Sequence, residues 1–190
     1  MFVSRSVGLS GISGREGSIK RMNCGRSTFE NVPADRGRLV CVNDISPNTS
    51  TIKVSGTFEG FTPNELFDYW VKPELITQWW PREATIDPRV GGAYSFSWPE
   101  QDWHLRGTYS AFEPGKTLAF TWSWDHDRNK FSPTQVVLVF EEAEGGGTQL
   151  TVDHGPWDET EEAQTERKGV IEGWIHFGMR LAGLRTGDAT

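Results

Sequence analysis

The side chains whose type and spacing could do chemistry in this sequence are its four histidines, an arginine within a strand, and a dense set of tryptophans. His126 stands in Trp-Asp-His-Asp-Arg, where Asp125 and Asp127 could join it on a metal ion. A closed site needs three or four converging ligands, so a solvated loop is the preferred reading. Glu172 and His176 lie one helical turn apart, which is ligand spacing, but they fall off the apolar stripe of their segment and read as a surface pair. His154 ends an alternating run in phase with Leu150 and Val152, and so is expected to point inward. It is either a core histidine with its hydrogen bonds satisfied, the preferred reading, or a polar contact to a bound ligand. His104, Arg106 and Thr108 share one side of a strand, with Gly107 and Tyr109 on the other. Facing a cavity, Arg106 would select an acidic ligand; facing outward, the side preferred here, it is solvated surface.

The nine tryptophans raise a different possibility. The stretch Gln78 to Trp98, QWWPREATIDPRVGGAYSFSW, holds an indole pair, a glycine pair and an every-other-residue aromatic run. Indoles bury large areas and can simply anchor a helix on a sheet. Preformed small-molecule pockets are also apolar and aromatic, with few polar groups. No catalytic residue or cofactor is assigned, because the sequence lacks G-x-S-x-G, H-E-x-x-H and a P-loop. Gly145 to Gly147 read as a hairpin turn, since no helix follows to supply the dipole of a phosphate site.

The elements that must position these residues are legible by periodicity. Ile52, Val54 and Phe58 alternate with polar residues as a first strand. Thr62 can cap a helix with Pro63 at its first position and Glu65 completing a capping box; Phe61 and Leu66 stand where a hydrophobic staple would be. A second short helix, PELITQWW, is stopped by Pro81. Five strands follow: AYSFSW, WHLRGTYSAF with a bend or bulge at Gly107, TLAFTWSW, TQVVLVFEE and TQLTVDH. A long helix from about Glu159 to Leu184 carries Val170, Trp174, Phe177, Leu181 and Leu184 as one stripe, with Asp158 as its candidate cap. Gly169, Gly173 and Gly178 weaken it, and a close approach to the sheet is the expected reason. The order is that of an α+β protein with an antiparallel meander, not a parallel βαβ sheet.

Charge divides the chain. Residues 1–48 hold seven Lys/Arg against four Asp/Glu, whereas residues 49–190 hold 12 against 22. The Ser/Gly/Arg-rich first segment reads as a disordered extension, 1–48, ahead of one folded domain, 49–190. It has no apolar core of a secretory signal, and only faintly resembles an organelle transit peptide. Both cysteines, Cys24 and Cys41, fall in it without zinc or disulfide spacing, which fits a reducing, cytoplasmic location. A net charge of −7 argues against nucleic acid as a partner. No apolar run is long enough to span a membrane.

Read together, the strings FTPNELFDYWVKPELITQWWPREATIDPRVGGAYSFSW, LRGTYSAFEPGKTLAFTW, GGGTQLTVDHGPW and EGWIHFGMRLAGL resemble the Hsp90-ATPase-activator-homologue-1-like family of the START/Bet v 1-like superfamily. The resemblance runs from about Thr51 to Leu184. It implies a helix-grip fold, with a cavity between a curved sheet and the C-terminal helix. The expected cavity residues are Trp80, Phe96, Trp98, Tyr109, Phe120, Trp122, Trp124, His154, Trp174 and Phe177. Trp122 and Trp174 are expected to pack its closed end, and Trp80, Phe96, Trp98 and Trp124 its opening. The resemblance implies binding of a hydrophobic or aromatic small molecule, with two alternatives. One is a partnership with an Hsp90-type chaperone, although the segment before the domain is too short for the co-chaperone's N-terminal domain. The other is a polyketide-cyclase-like reaction using His154, Arg106 or Tyr109.

Overall fold

The computed structural model describes residues 42–127 and 130–186. Eight strands run as β1 (Val42–Asp44), β2 (Ile52–Phe58), β3 (Glu83–Ile86), β4 (Ala93–Trp98), β5 (Trp103–Glu113), β6 (Thr117–Trp124), β7 (Thr134–Glu142) and β8 (Thr148–Gly155). Two short helices, α1 (Pro63–Val71) and α2 (Pro73–Ile76), follow β2, and a long one, α3 (Glu161–Thr186), ends the described chain. All strand pairs are antiparallel, in the order β1-β2-β8-β7-β6-β5-β4-β3. This is an α+β helix-grip fold, with α3 packed on the inner face of a curved sheet.

Local chemistry explains the elements. Ile52, Val54, Gly56 and Phe58 are buried in strict alternation along β2, as a sheet with one covered face requires. Thr62 accepts the Glu65 backbone N–H while the Glu65 carboxylate accepts the Thr62 N–H, so the capping box of α1 is closed in both directions. Leu66, Phe67, Trp70 and Val71 form the buried side of α1. On β4, Tyr94 and Phe96 are buried and Trp98 is half-buried, which is the alternation the sequence predicts. On α3, Trp174 and Leu181 are fully inside, and Val170, Phe177 and Leu184 pack partly buried against the same core.

Several expectations are corrected. The sheet has two further short strands, β1 and β3, whose sequences VND and EATI are too brief and too polar to carry a period. β1 lies before the charge boundary at Asn48, so the sheet begins inside the segment read as an extension; residues 1–41, with Cys24 and Cys41, lie outside the described residues. The second helix is only four residues long, and Trp79 and Trp80 belong to the turn beyond it. The bulge in β5 falls between Tyr109 and Ala111 rather than at Gly107. Gly107 instead stays in register opposite Tyr94, whose ring lies over it while its hydroxyl donates to the Thr121 carbonyl at 2.8 Å. The cap of α3 is Thr160, whose hydroxyl accepts the Ala163 N–H, not Asp158. Of the four glycines of α3, Gly169, Gly173 and Gly183 have nothing within 4 Å of where a Cβ would stand, and Gly178 alone meets a neighbour, the two Val42 methyls at 3.2 Å.

These contacts predict opposite outcomes at two glycines. Gly169→Ala should stabilise the fold by about 0.5–1 kcal/mol, since it gains helix propensity without a clash. Gly107→Ala should destabilise it by about 1–3 kcal/mol, because its methyl runs into the Thr121 carbonyl and sits 2.7 Å from the Tyr94 ring. Thermal or denaturant melts of the two variants check both signs.

Candidate ligand site

Pro73 opens α2, and the chain turns after Ile76, which delivers the two indoles of Trp79 and Trp80 into the space between sheet and α3. Trp79 donates its ring N–H to the Tyr69 carbonyl at 3.1 Å and stacks on Trp80 at 5.5 Å. Trp80 then stacks on Trp122 of β6, with centroids 5.6 Å apart and planes at 22°. It also leans on Trp174 of α3 at 5.6 Å and on Phe96 of β4 at 5.3 Å. One indole therefore touches both layers of the fold at once. Trp70 at 5.9 Å, Phe177 at 6.2 Å and Trp98 at 6.4 Å complete its ring contacts.

His154 lies behind this group with no exposed surface. The Trp174 indole N–H donates to its Nδ1 at 3.2 Å, and an indole nitrogen can only donate. The imidazole must therefore carry its proton on Nε2, which lies 2.7 Å from the Thr134 hydroxyl and donates to it. Burial pushes the His154 pKa down to about 3, so the ring is neutral with both nitrogens engaged. That is the satisfied core histidine of the preferred reading.

The remaining expected residues divide by depth. Tyr109 and Phe120 gather around Tyr94, at 5.6 and 5.4 Å from it, and reach Trp80 only through Phe96. Burial pushes both tyrosine hydroxyls up, so neither is a base near neutrality. Trp98 and Trp124 are half-buried and 5.5 Å apart, and His126 stacks on Trp124 at 5.6 Å. Joined through Tyr94, the ten residues form one branched group of rings from the half-buried Trp124 to the interior. They do not enclose a large space. One void between α3 and the sheet measures about 20 Å³, room for one water, and is lined by Val42, Val54, Phe58, Trp70, Trp79, Trp174 and Leu181 among others. A second, under Tyr109 and Phe120, holds none. Trp70 lines both and was not singled out from sequence. Its signal was present: it follows Leu66 by four and Phe67 by three, on the apolar side of α1.

Apart from His154 and the His126 ring stacked on Trp124, the polar candidates lie outside this group. Arg106 is outward on β5, bonding Asp125 at 2.9 Å and the Ser95 hydroxyl at 3.0 Å. With Asp125 committed there, His126 pairs with Asp127 at 3.2 Å. No three His, Cys, Asp or Glu among the described residues converge on a metal-sized site. His176 and Glu172 are exposed on α3. Among the described residues, no helix is long and apolar enough to cross a membrane.

The state of His154 sets a pH dependence. Above about pH 6.5 it is neutral in folded and unfolded chains alike. As pH falls from there toward 3, the unfolded chain binds a proton that the folded one does not. Its share of stability should fall by about 1.4 kcal/mol per pH unit across that window. His154→Gln should flatten the acid limb of a stability–pH curve; a limb parallel to the parent's would assign the loss to other groups.

Comparison with known proteins agrees with this geometry. The family model described as "Activator of Hsp90 ATPase homolog 1-like protein" matches residues 61–185. Among solved structures, protein MLL2253 from Mesorhizobium loti is similar at 25% identity and a TM-score of 0.61, over 70% of this chain and 95% of that one. Protein Ms6760 from Mycobacterium smegmatis superposes with a TM-score of 0.62 at 21% identity, over 76% and 97% of the respective chains. The Aha1 dimer from Colwellia psychrerythraea shares the fold at 14% identity and a TM-score of 0.60, over 74% and 98%. No curated protein matches significantly. With two indoles of α2's turn wedged between sheet and helix, and the family model covering 61–185, the chain belongs to the Hsp90-ATPase-activator-homologue-1-like family.

Proposed function

We propose that this domain binds a hydrophobic or aromatic small molecule between α3 and the sheet. The observation that carries the reading is the unbroken series of rings from half-exposed Trp98 and Trp124 through Trp80 to Trp174, beside a void walled by apolar side chains. Such a surface offers dispersion and apolar burial but almost no hydrogen bonding, which selects uncharged, flat or aliphatic ligands. The void holds only about one water, so a ligand enters by displacing side chains rather than by filling a ready space. The half-buried rings at the outer end can move with less loss of core than the fully buried ones.

A second reading has its own support. An interior this full also suits a domain that works through its surface, and the family's description names activation of the Hsp90 ATPase. On that reading the protein stimulates a chaperone of that type, and the aromatic layer is core alone.

Native and denaturing mass spectra of the full chain separate the two. A stoichiometric small molecule lost on denaturation is the expected result for the binding reading. Trp98→Ala and Trp124→Ala should then reduce its retention with little change in Tm. An equal collapse of Tm would place both rings in the core. No retained mass, together with a saturable rise in Hsp90-type ATPase turnover, would favour the surface role.

A further inference from the structure

The void between α3 and the sheet is not walled by α3 and the long strands alone. Val42, the first residue of β1, forms part of its wall. β1 is a three-residue strand at the edge of the sheet, half-buried at Val42 and exposed at Asn43 and Asp44. Its register sets Val42 opposite Gly56 of β2, the one position in the inward row Ile52, Val54, Gly56, Phe58 that has no side chain. On the helix side, the Val42 methyls sit 3.2 Å from where a Cβ would stand on Gly178. Gly56 and Gly178 both line the void. The valine is therefore seated between a gap in the strand and a gap in the helix. Gly178 is also the helix glycine whose missing methyl makes room for another side chain, unlike Gly169 and Gly173. All of this strand lies upstream of residue 61, where the family match begins.

We infer that the space behind β1 is a binding site for an uncharged apolar molecule, and that β1 is the strap across its mouth, with Val42 as the plug. The inference rests on the ligand-binding reading and assigns it a way in. Two arguments favour β1 as the moving part. A short edge strand with one half-buried side chain opens locally at far lower cost than α3, which would expose Trp174 and Leu181. Once Val42 withdraws, the uncovered wall includes Val54, Phe58, Trp70, Trp174 and Leu181, and no charged residue lines it. A ligand carrying a charge would lose its hydration there without a partner. Val42 leaving a seat between two glycines also vacates a slot that a chain or ring edge can occupy.

The test locks the strap reversibly. Asn43 and Ser55 are register partners on the outward side of β1 and β2, where a cross-strand disulfide can form. Asn43→Cys with Ser55→Cys, in the full chain with Cys24→Ser and Cys41→Ser, gives a strap closed when oxidised and free when reduced. The probe is Nile red, an uncharged dye that fluoresces in apolar surroundings. Oxidation should weaken dye binding by roughly tenfold or more, since apparent affinity falls with the open fraction, and reduction should restore it. Val42→Ala, in the otherwise unchanged chain, should bind the dye more tightly and faster than the parent. Equal binding by oxidised and reduced protein would overturn the strap while leaving the binding reading standing. No binding by Val42→Ala or by the reduced protein, both checked as folded by circular dichroism, would overturn the two together.

Discussion

The stacking of Trp80 on Trp122, with Trp174 in contact with both rings, is the contact on which the rest of this structure depends. A helix laid on a curved sheet leaves a wedge-shaped gap that neither layer's side chains fill alone. Here a third segment, the turn after α2, inserts an indole into it. Aromatic pairs of this kind contribute about 0.5–1.5 kcal/mol each beyond the area they bury. Removing a buried tryptophan outright costs about 3–5 kcal/mol, a large part of the roughly 5–15 kcal/mol that holds a typical domain. The position of α3, the closure of the interior and the small size of its void all follow from that wedge.

Around the wedge, buried polar groups are tied down in ways that fix neighbouring segments. His154 is held between Thr134 and the Trp174 indole, so the same tryptophan that packs against Trp80 also orients the imidazole. Arg167, nearly buried on α3, donates to the carbonyls of Asn48 and Thr51 at 2.8 and 3.0 Å. A charged donor is worth more than a neutral one, about 1.5–3 kcal/mol. That pair of bonds fastens the β1–β2 connection to the helix. Thr148 does the same for the approach to α1 through the Phe61 carbonyl. These bonds fix the approaches to β2 and α1, and β1 lies upstream of them.

A filled interior and a binding role are compatible when the filling is made of side chains that can withdraw. The outer rings, Trp98 and Trp124, are half-buried, and Val42 is held by one short ladder and a seat between glycines. These are the places where the least apolar area is exposed by movement. Inside them, Trp79 and His154 have their polar atoms bonded and little freedom to move. The polar face of the sheet, where Arg106 meets Asp125 and Ser95, is a separate, solvated surface.

The sequence by itself determined which faces are apolar and where the main elements lie. Period-two runs placed β2 and β4 to β8, the capping box placed α1, and the Val170–Leu184 stripe oriented α3, because each signal is local and repeats within one element. It also placed His154 inward and preferred Arg106 outward, since alternation assigns faces. Only the tertiary structure decided what those faces enclose. β1 and β3 were too short to show a period, and exist because a neighbouring strand offers its edge. Whether Trp80 lines a cavity or fills one depends on the distance between α3 and the sheet, a long-range quantity that no window of sequence contains. The same holds for the four glycines of α3, of which only Gly178 faces another chain segment, because only there does Val42 come within reach.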